Sequence, residues 1–152
     1  MRRSVHIFPA ILIVSLLLSL CTVPTAAAQT TVVTDVVYFE DGSYLITELT
    51  TYPTARAAQT RTGSKTTYFA NSAGTKQWSL TVNGTFTYNG STSSATKATY
   101  SYSISDSSWS LKNASAYCSG NQAIAEGTFS GGLFLSRSLT VTLSCSPSGV
   151  LS

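Results

Sequence analysis

From residue 31 onward, apolar and small polar residues trade places at nearly every step. Within "TKQWSLTVNGTFTY" (75–88), Trp78, Leu80, Val82, Phe86 and Tyr88 share one parity. Successive side chains of a strand face opposite sides, so this row predicts one buried face. Gly84 interrupts it with nothing to pack, which predicts a bulge or a close backbone approach. "ATKATYSYSI" (95–104) sets Ala98, Tyr100, Tyr102 and Ile104 against Ser and Thr, and the closing stretch aligns Leu139, Val141, Leu143 and Cys145. In "WSLKNASAYC" (109–118), Trp109 and Leu111 are in phase, then the apolar parity slips to Ala114, Ala116 and Cys118. That slip predicts a bulge near Asn113.

Further strands are predicted over 31–39, 44–50, 65–70, 123–130 and 133–145, from β-branched and aromatic content. Asp41-Gly42 predicts a type I′ hairpin turn. "NSAG" (71–74), "NGS" (89–91), "SDSS" (105–108), "SGNQ" (119–122) and Gly131-Gly132 supply the other reversals. The stretch 52–64 breaks the pattern with Pro53, a run of alanines and Gly63-Ser64, and predicts a long exposed loop. About eight strands at this turn spacing predict an all-β chain, a single antiparallel β-sandwich of Ig-like general architecture. Strand order, and sandwich against barrel, stay open at this level.

The first residues follow another logic. Arg2 and Arg3 precede an apolar run, "IFPAILIVSLLLSL", and then "CTVPTAAAQT" with small residues at Ala26 and Ala28. This is the three-part pattern of a secretory signal peptide over 1–28, leaving an exported domain over 29–152. The apolar run is too short and wrongly flanked for a membrane span that is kept. A lipoprotein signal through Cys21 is disfavoured, because Leu20 stands where a small residue is wanted.

Cleavage changes the chemistry on offer. Losing Arg2 and Arg3 leaves seven basic residues against six acidic, a net charge of +1. Losing His6 leaves no histidine. A Ser-His-Asp triad, a Cys-His pair and histidine-built zinc sites are thereby excluded. No phosphate-binding loop or nucleophile elbow occurs, and no cofactor or metal is implied. Carboxylates remain: Asp35, Glu40, Asp41, Glu48, Asp106 and Glu126. A glycosidase needs two of them across a groove. Glu48 and Glu126, both within predicted strands, are the pair that could meet, although their spacing equally suits two soluble surface positions. Asp41 and Asp106 read as turn residues.

Cys118 and Cys145 are the two cysteines of the exported domain. Export places them where disulfides survive. In an antiparallel meander both lie at one end of the domain, and the parity of Cys145 points it into the core. A bridge closing the 26 intervening residues would contribute roughly 3–4 kcal/mol. A redox pair would want a C-x-x-C spacing or an activating histidine, so a structural staple is expected.

Charge is segregated. Residues 29–48 carry four acidic residues and no basic one, whereas 49–105 carry Arg56, Arg61, Lys65, Lys76 and Lys97 and no acidic one. The basic section suits an anionic cell-wall polymer; an acidic hairpin packed beside basic strands explains the same pattern. A net charge of +1 argues against nucleic acid. Tyr52, Tyr68, Tyr100, Tyr102 and Tyr117 are candidates for a sugar-stacking platform, with core or half-core placement expected for Tyr100 and Tyr102. Sequons at Asn83, Asn89 and Asn113 matter only in a host that glycosylates secreted proteins.

"QWSLTVNGTFTYNGST", followed by "SSWSL", "SGN" and "TLSCSPSGVLS", resembles small secreted proteins of Gram-positive, Clostridia-like bacteria. The resemblance spans roughly residues 40–152. It implies an exported all-β domain and brings no activity and no catalytic residues. The expected role is therefore a secreted non-catalytic binding or cell-surface-associated module of unknown ligand, with a cell-wall polymer or carbohydrate as the candidate partner. The alternatives are a small toxin-like or antimicrobial protein and, more remotely, a carboxylate glycosidase. Mass spectrometry of the secreted protein is expected to find its N-terminus at Gln29. A diacylated species starting at Cys21 would instead establish a lipoprotein.

Overall fold

The computed structural model describes residues 28–53, 59–132 and 135–152. The expected signal segment lies outside them save for Ala28, and so does Arg56. Eight strands follow in order: β1 (Thr30–Tyr38), β2 (Tyr44–Thr51), β3 (Thr60–Ala70), β4 (Lys76–Tyr88), β5 (Ser93–Ile104), β6 (Trp109–Ser119), β7 (Gln122–Gly131) and β8 (Leu135–Ser144). They form a five-stranded sheet, β1-β2-β3-β4-β5, and a three-stranded sheet, β6-β7-β8. Every neighbouring pair is antiparallel. The chain is an all-β protein of sandwich type.

Alternation decides what is buried. Trp78, Leu80, Val82 and Phe86 of β4 face Ala123, Ala125 and Phe129 of β7 and Val141 and Leu143 of β8 across the sheets, and all are buried. Trp78 stacks on Phe129 with ring centroids 3.9 Å apart and on Phe69 at 5.3 Å, while Trp109 meets Phe69 edge-on at 5.2 Å. Aromatic pairs at such spacings contribute about 0.5–1.5 kcal/mol each beyond the area they bury.

Three turns share one construction. In Phe39–Ser43, Asn71–Thr75 and Ser146–Val150 the fourth residue is glycine, and its N–H donates to the carbonyl of the first. The first N–H in turn donates to the fifth carbonyl. Gly42, Gly74 and Gly149 hold φ of 79°, 84° and 82°, which β-carbon-bearing residues rarely adopt. This is a three-residue loop with glycine in the left-handed position. It corrects the expected type I′ turn, which would need Asp41 at positive φ as well; no non-glycine described residue has one. Asp41 instead accepts from the Ser43 amide at 3.0 Å and from its hydroxyl.

A second correction concerns residues 52–64. β3 begins at Thr60, so Arg61 pairs with Phe86, and Gly63 and Ser64 are buried. An exposed connection remains at Tyr52, Pro53 and Gln59, with 54–58 outside the described residues. Gly63 looked like a loop exit, but the space it leaves is taken by Leu151 from the C-terminal tail. The parity slip in β6 is a bulge, with the register shifting between Leu111 and Asn113.

Gly84 sits in regular register, opposite Gly63 and Ala98, and is a site of close approach. A β-carbon there would lie 2.6 Å from the Phe86 ring and 2.9 Å from the Ala123 side chain of the other sheet. Gly84→Ala is therefore expected to destabilise the domain by about 1–3 kcal/mol through overpacking. Urea unfolding checks this; a midpoint equal to that of the wild type would contradict it.

Candidate functional site

The three-stranded sheet covers part of the larger one. β6 lies against β5, β7 against β4 and β5, and β8 against β3 and β4. The β1–β2 hairpin projects past this cover, so all nine residues of β1 are exposed. Val33 is 60% and Tyr38 72% exposed, values that set this strand apart from the others.

A bulge at Thr34 sorts the β1 side chains. Val33 pairs with Glu48 and Val36 with Ile46, whereas Val32 pairs with Leu49 and Val37 with Leu45. Paired residues share a face, so Val33, Val36 and Tyr38 turn outward with Tyr44, Ile46 and Glu48. β3 extends this outer face with Tyr68, opposite Ile46, and Thr66, opposite Glu48. The Tyr38 and Tyr44 rings lie 5.3 Å apart, tilted by 40°. Lys76 Nζ sits 3.5 Å from the centre of the Tyr68 ring and 3.7 Å from a Glu48 carboxylate oxygen. Burial, and then the neighbouring Glu48 carboxylate, push the Tyr68 hydroxyl pKa up. Towards β4 and β5 the same face becomes hydroxyl-rich, with cross-strand contacts Thr66–Thr81 at 2.9 Å and Ser79–Ser103 at 2.8 Å. The result is a broad tyrosine-bearing surface with an apolar border and a polar extension.

The tyrosines singled out from sequence do not gather. Tyr68 belongs to this face, whereas Tyr117 is on the outer side of the three-stranded sheet and Tyr52 follows β2. Tyr100 and Tyr102 pair with the buried Val82 and Leu80, but both are exposed, which corrects the core or half-core placement expected of them. They stay 40% and 50% exposed because β5 is a sheet edge, and Tyr102 meets Phe129 edge-on at 6.5 Å. Tyr38 and Tyr44 were missed. Their signal was their symmetric placement about the 39–43 turn, which makes them direct cross-strand neighbours.

The carboxylates are scattered. Glu48 and Glu126 point outward from opposite sheets, so the pair that might have flanked a groove is separated by the whole sandwich. Glu126 accepts a 2.9 Å hydrogen bond from the Tyr117 hydroxyl, which raises the pKa of that tyrosine. Glu126 borders a shallow hollow of about 500 Å³ with Asn113, Thr128, Ser138 and Thr140 for walls. Asp106 caps its turn through the Ser108 amide at 2.8 Å, which lowers its pKa. Asp41 is held low by Ser43 and by Arg137, whose Nη2 is 3.5 Å away. Glu48–Lys76 and Asp41–Arg137 join the acidic hairpin to basic residues, as expected of charges that solvate a surface. Among the described residues no three His, Cys, Asp or Glu side chains cluster, and no helix is long and apolar enough to cross a membrane.

The expected Cys118–Cys145 bridge is not formed; both thiols are free. The parity expectation for Cys145 holds, since its side chain is fully buried. Cys118 is exposed. Ala123 pairs with Cys118 on one side and with Leu143 on the other. A whole strand therefore intervenes, a gap of about 10 Å, and Cys145 lies two residues further along. Bridgeable α-carbons lie within about 7 Å. Burial also raises the Cys145 pKa, which disfavours the reactive thiolate.

Comparison with protein-family models, with curated proteins and with solved structures finds no match. Iodoacetamide is expected to add once to the folded 29–152 domain, at Cys118, and twice after its denaturation without reductant. An unreduced mass two hydrogens short of the dithiol, with no labelling, would restore the staple.

Proposed function

We propose that this chain is a secreted, non-catalytic binding module, and that the outer face of β1–β3 engages a polysaccharide of the cell surface. The carrying observation is the set of Tyr38, Tyr44 and Tyr68 on one outward face, bordered by Val33, Val36 and Ile46. Sugar rings present apolar C–H faces that stack on aromatic rings, while their hydroxyls bond to polar neighbours. Glu48, Lys76, Thr66 and Thr81 provide such neighbours beside the tyrosines. Export is supported by the three-part leader pattern in the first 28 residues. A non-catalytic role is supported by the lack of histidine after residue 6 and by the separation of Glu48 from Glu126.

The test is co-sedimentation of the secreted protein with insoluble cell-wall polysaccharide. Tyr38→Ala and Tyr44→Ala are each expected to weaken binding by about 2- to 10-fold, on the worth of one aromatic contact. Tyr117→Ala, on the other sheet, is expected to leave it unchanged. Equal retention of wild type and the Tyr38→Ala/Tyr44→Ala double variant would refute the assignment of the face. No retention of the wild type would refute the ligand class.

A further inference from the structure

The two sheets differ in width by two strands, and the mismatch lies on one side. On the other side the sandwich is closed: the Ala95 amide donates to the Gly120 carbonyl at 2.8 Å, joining β5 to the β6–β7 turn. On the open side the inner face of the β1–β2 hairpin runs beyond β8. It carries Val32, Asp35 and Val37 from β1 and Leu45, Thr47 and Leu49 from β2. Val32 and Val37 remain 48% and 46% exposed. Voids of about 230 and 290 Å³ lie between this face and β8, lined in turn by Leu45, Phe69 and Leu139 and by Asp35, Lys65 and Thr140.

Among the described residues, β8 borders this gap with an edge that is unpaired from Ser136 to Thr142 and paired at Ser144 with the C-terminal tail. Ser144 exchanges both main-chain hydrogen bonds with Ser152, at 2.9 and 3.1 Å, so its N–H and C=O point away from β7. Main-chain groups alternate sides along an antiparallel strand. Those of Thr142, Thr140, Ser138 and Ser136 therefore also point into the gap. The β5 and β6 edges are guarded, β5 by a bulge at Thr96 beside Lys97 and β6 by one at Lys112. The β1 edge is interrupted by its bulge at Thr34 and is regular on either side of it, over Thr30–Val33 and Asp35–Tyr38. Bulges and charges are the usual means of blunting an edge. β8 pairs with β7 without a register shift.

We propose that a second copy of this chain fills the gap, its β1–β2 hairpin taking the place of the two missing strands while its own gap receives the hairpin of the first. A two-fold axis along the strands, through the middle of the overhang, sets β1 of each copy beside β8 of the other. Each layer then contains three strands of one copy and five of the other, so both become eight strands wide. The polarity is right. β8 ends beside the start of β5, where Ser93 bonds the Cys145 carbonyl, so β8 runs opposite to β5 and to β1. An axis along the strands preserves direction, and the new β1–β8 pairs are antiparallel.

Heights match as well. Asp35 already borders the same void as Thr140–Thr142, so Val32–Tyr38 of the incoming strand spans the open rungs of β8. Its Asp35 arrives within one residue pair of Lys65, a partner of opposite charge on the floor of the gap. The valines of the two overhangs cover each other. The strip covered on each copy is about 30 Å long and 10 Å wide, and two new ladders add main-chain hydrogen bonds to it. The outer face carrying Tyr38, Tyr44 and Tyr68 stays open in this dimer, so the polysaccharide reading stands or falls separately.

Sedimentation equilibrium of the secreted protein at micromolar concentration is expected to give twice the monomer mass. Thr140→Pro removes an N–H that points away from β7, so the β7–β8 ladder keeps its hydrogen bonds and the edge is lost. Val32→Lys puts a charge into the overlap without touching β8. Each is expected to weaken dimerisation about tenfold or more, with circular dichroism unchanged; if Thr140→Pro does not fold, Val32→Lys decides. A monomeric wild type would overturn the proposal. So would a dimer indifferent to both substitutions, or an open-ended polymer in place of a closed pair.

Discussion

Trp78 lies between Phe69, its neighbour in the five-stranded sheet, and Phe129 of the three-stranded sheet, with ring centroids 5.3 and 3.9 Å away. Large flat side chains cannot be shared between two positions, so this stack sets the lateral offset of one sheet over the other. With β7 drawn onto β4 and β5, β6 falls beside β5 and β8 over β3 and β4. Little of the smaller sheet is left to cover β1, all of whose residues are exposed. The exposed valines on the inner face of β1 and the unpaired edge of β8 follow from that offset.

Small residues make the close approach between the sheets possible. Gly84 leaves room for the Phe86 ring and Ala123, and Gly127 for Leu80. Gly131 leaves room for the Trp109 ring. Each glycine lies on an inward-facing position beside a bulky side chain, so the core is filled by setting large next to absent side chains. The arrangement also bears on the cysteines. Cys145 packs into this interior near the C-terminal tail, while Cys118 lies at the same end, one strand too far away and open to solvent.

The hydroxyl-rich outer faces show the opposite logic. Thr66–Thr81, Ser79–Ser103 and Thr128–Ser138 join strands through side-chain hydroxyls where apolar packing is lacking. Such cross-strand pairs contribute modestly, about 0.2–1 kcal/mol each. They also keep the outer surfaces wettable despite the low charge content of the chain. Against this background the apolar border of Val33, Val36 and Ile46 beside the tyrosines is the departure on which the proposed recognition surface rests.

The number of strands, the inward rows of β4, β7 and β8, the β6 bulge and the short turns could be read from the chain because they depend on neighbours one or two residues apart. Alternation gave Trp78, Leu80, Val82 and Phe86 a common face whatever lay above them. The true start of β3 was hidden, because Arg61, Thr62 and Gly63 have no apolar alternation and owe their strand to pairing with β4 and to Leu151. The tyrosine face was hidden for a similar reason. Tyr68 reaches Ile46 only through the β2–β3 register, and no local pattern reports whether a second sheet covers the pair. Sequence by itself thus determined which side of its own strand each residue takes. Tertiary structure alone decided which of those sides would meet water, because coverage is set by an aromatic stack between residues as far apart as Phe69 and Phe129.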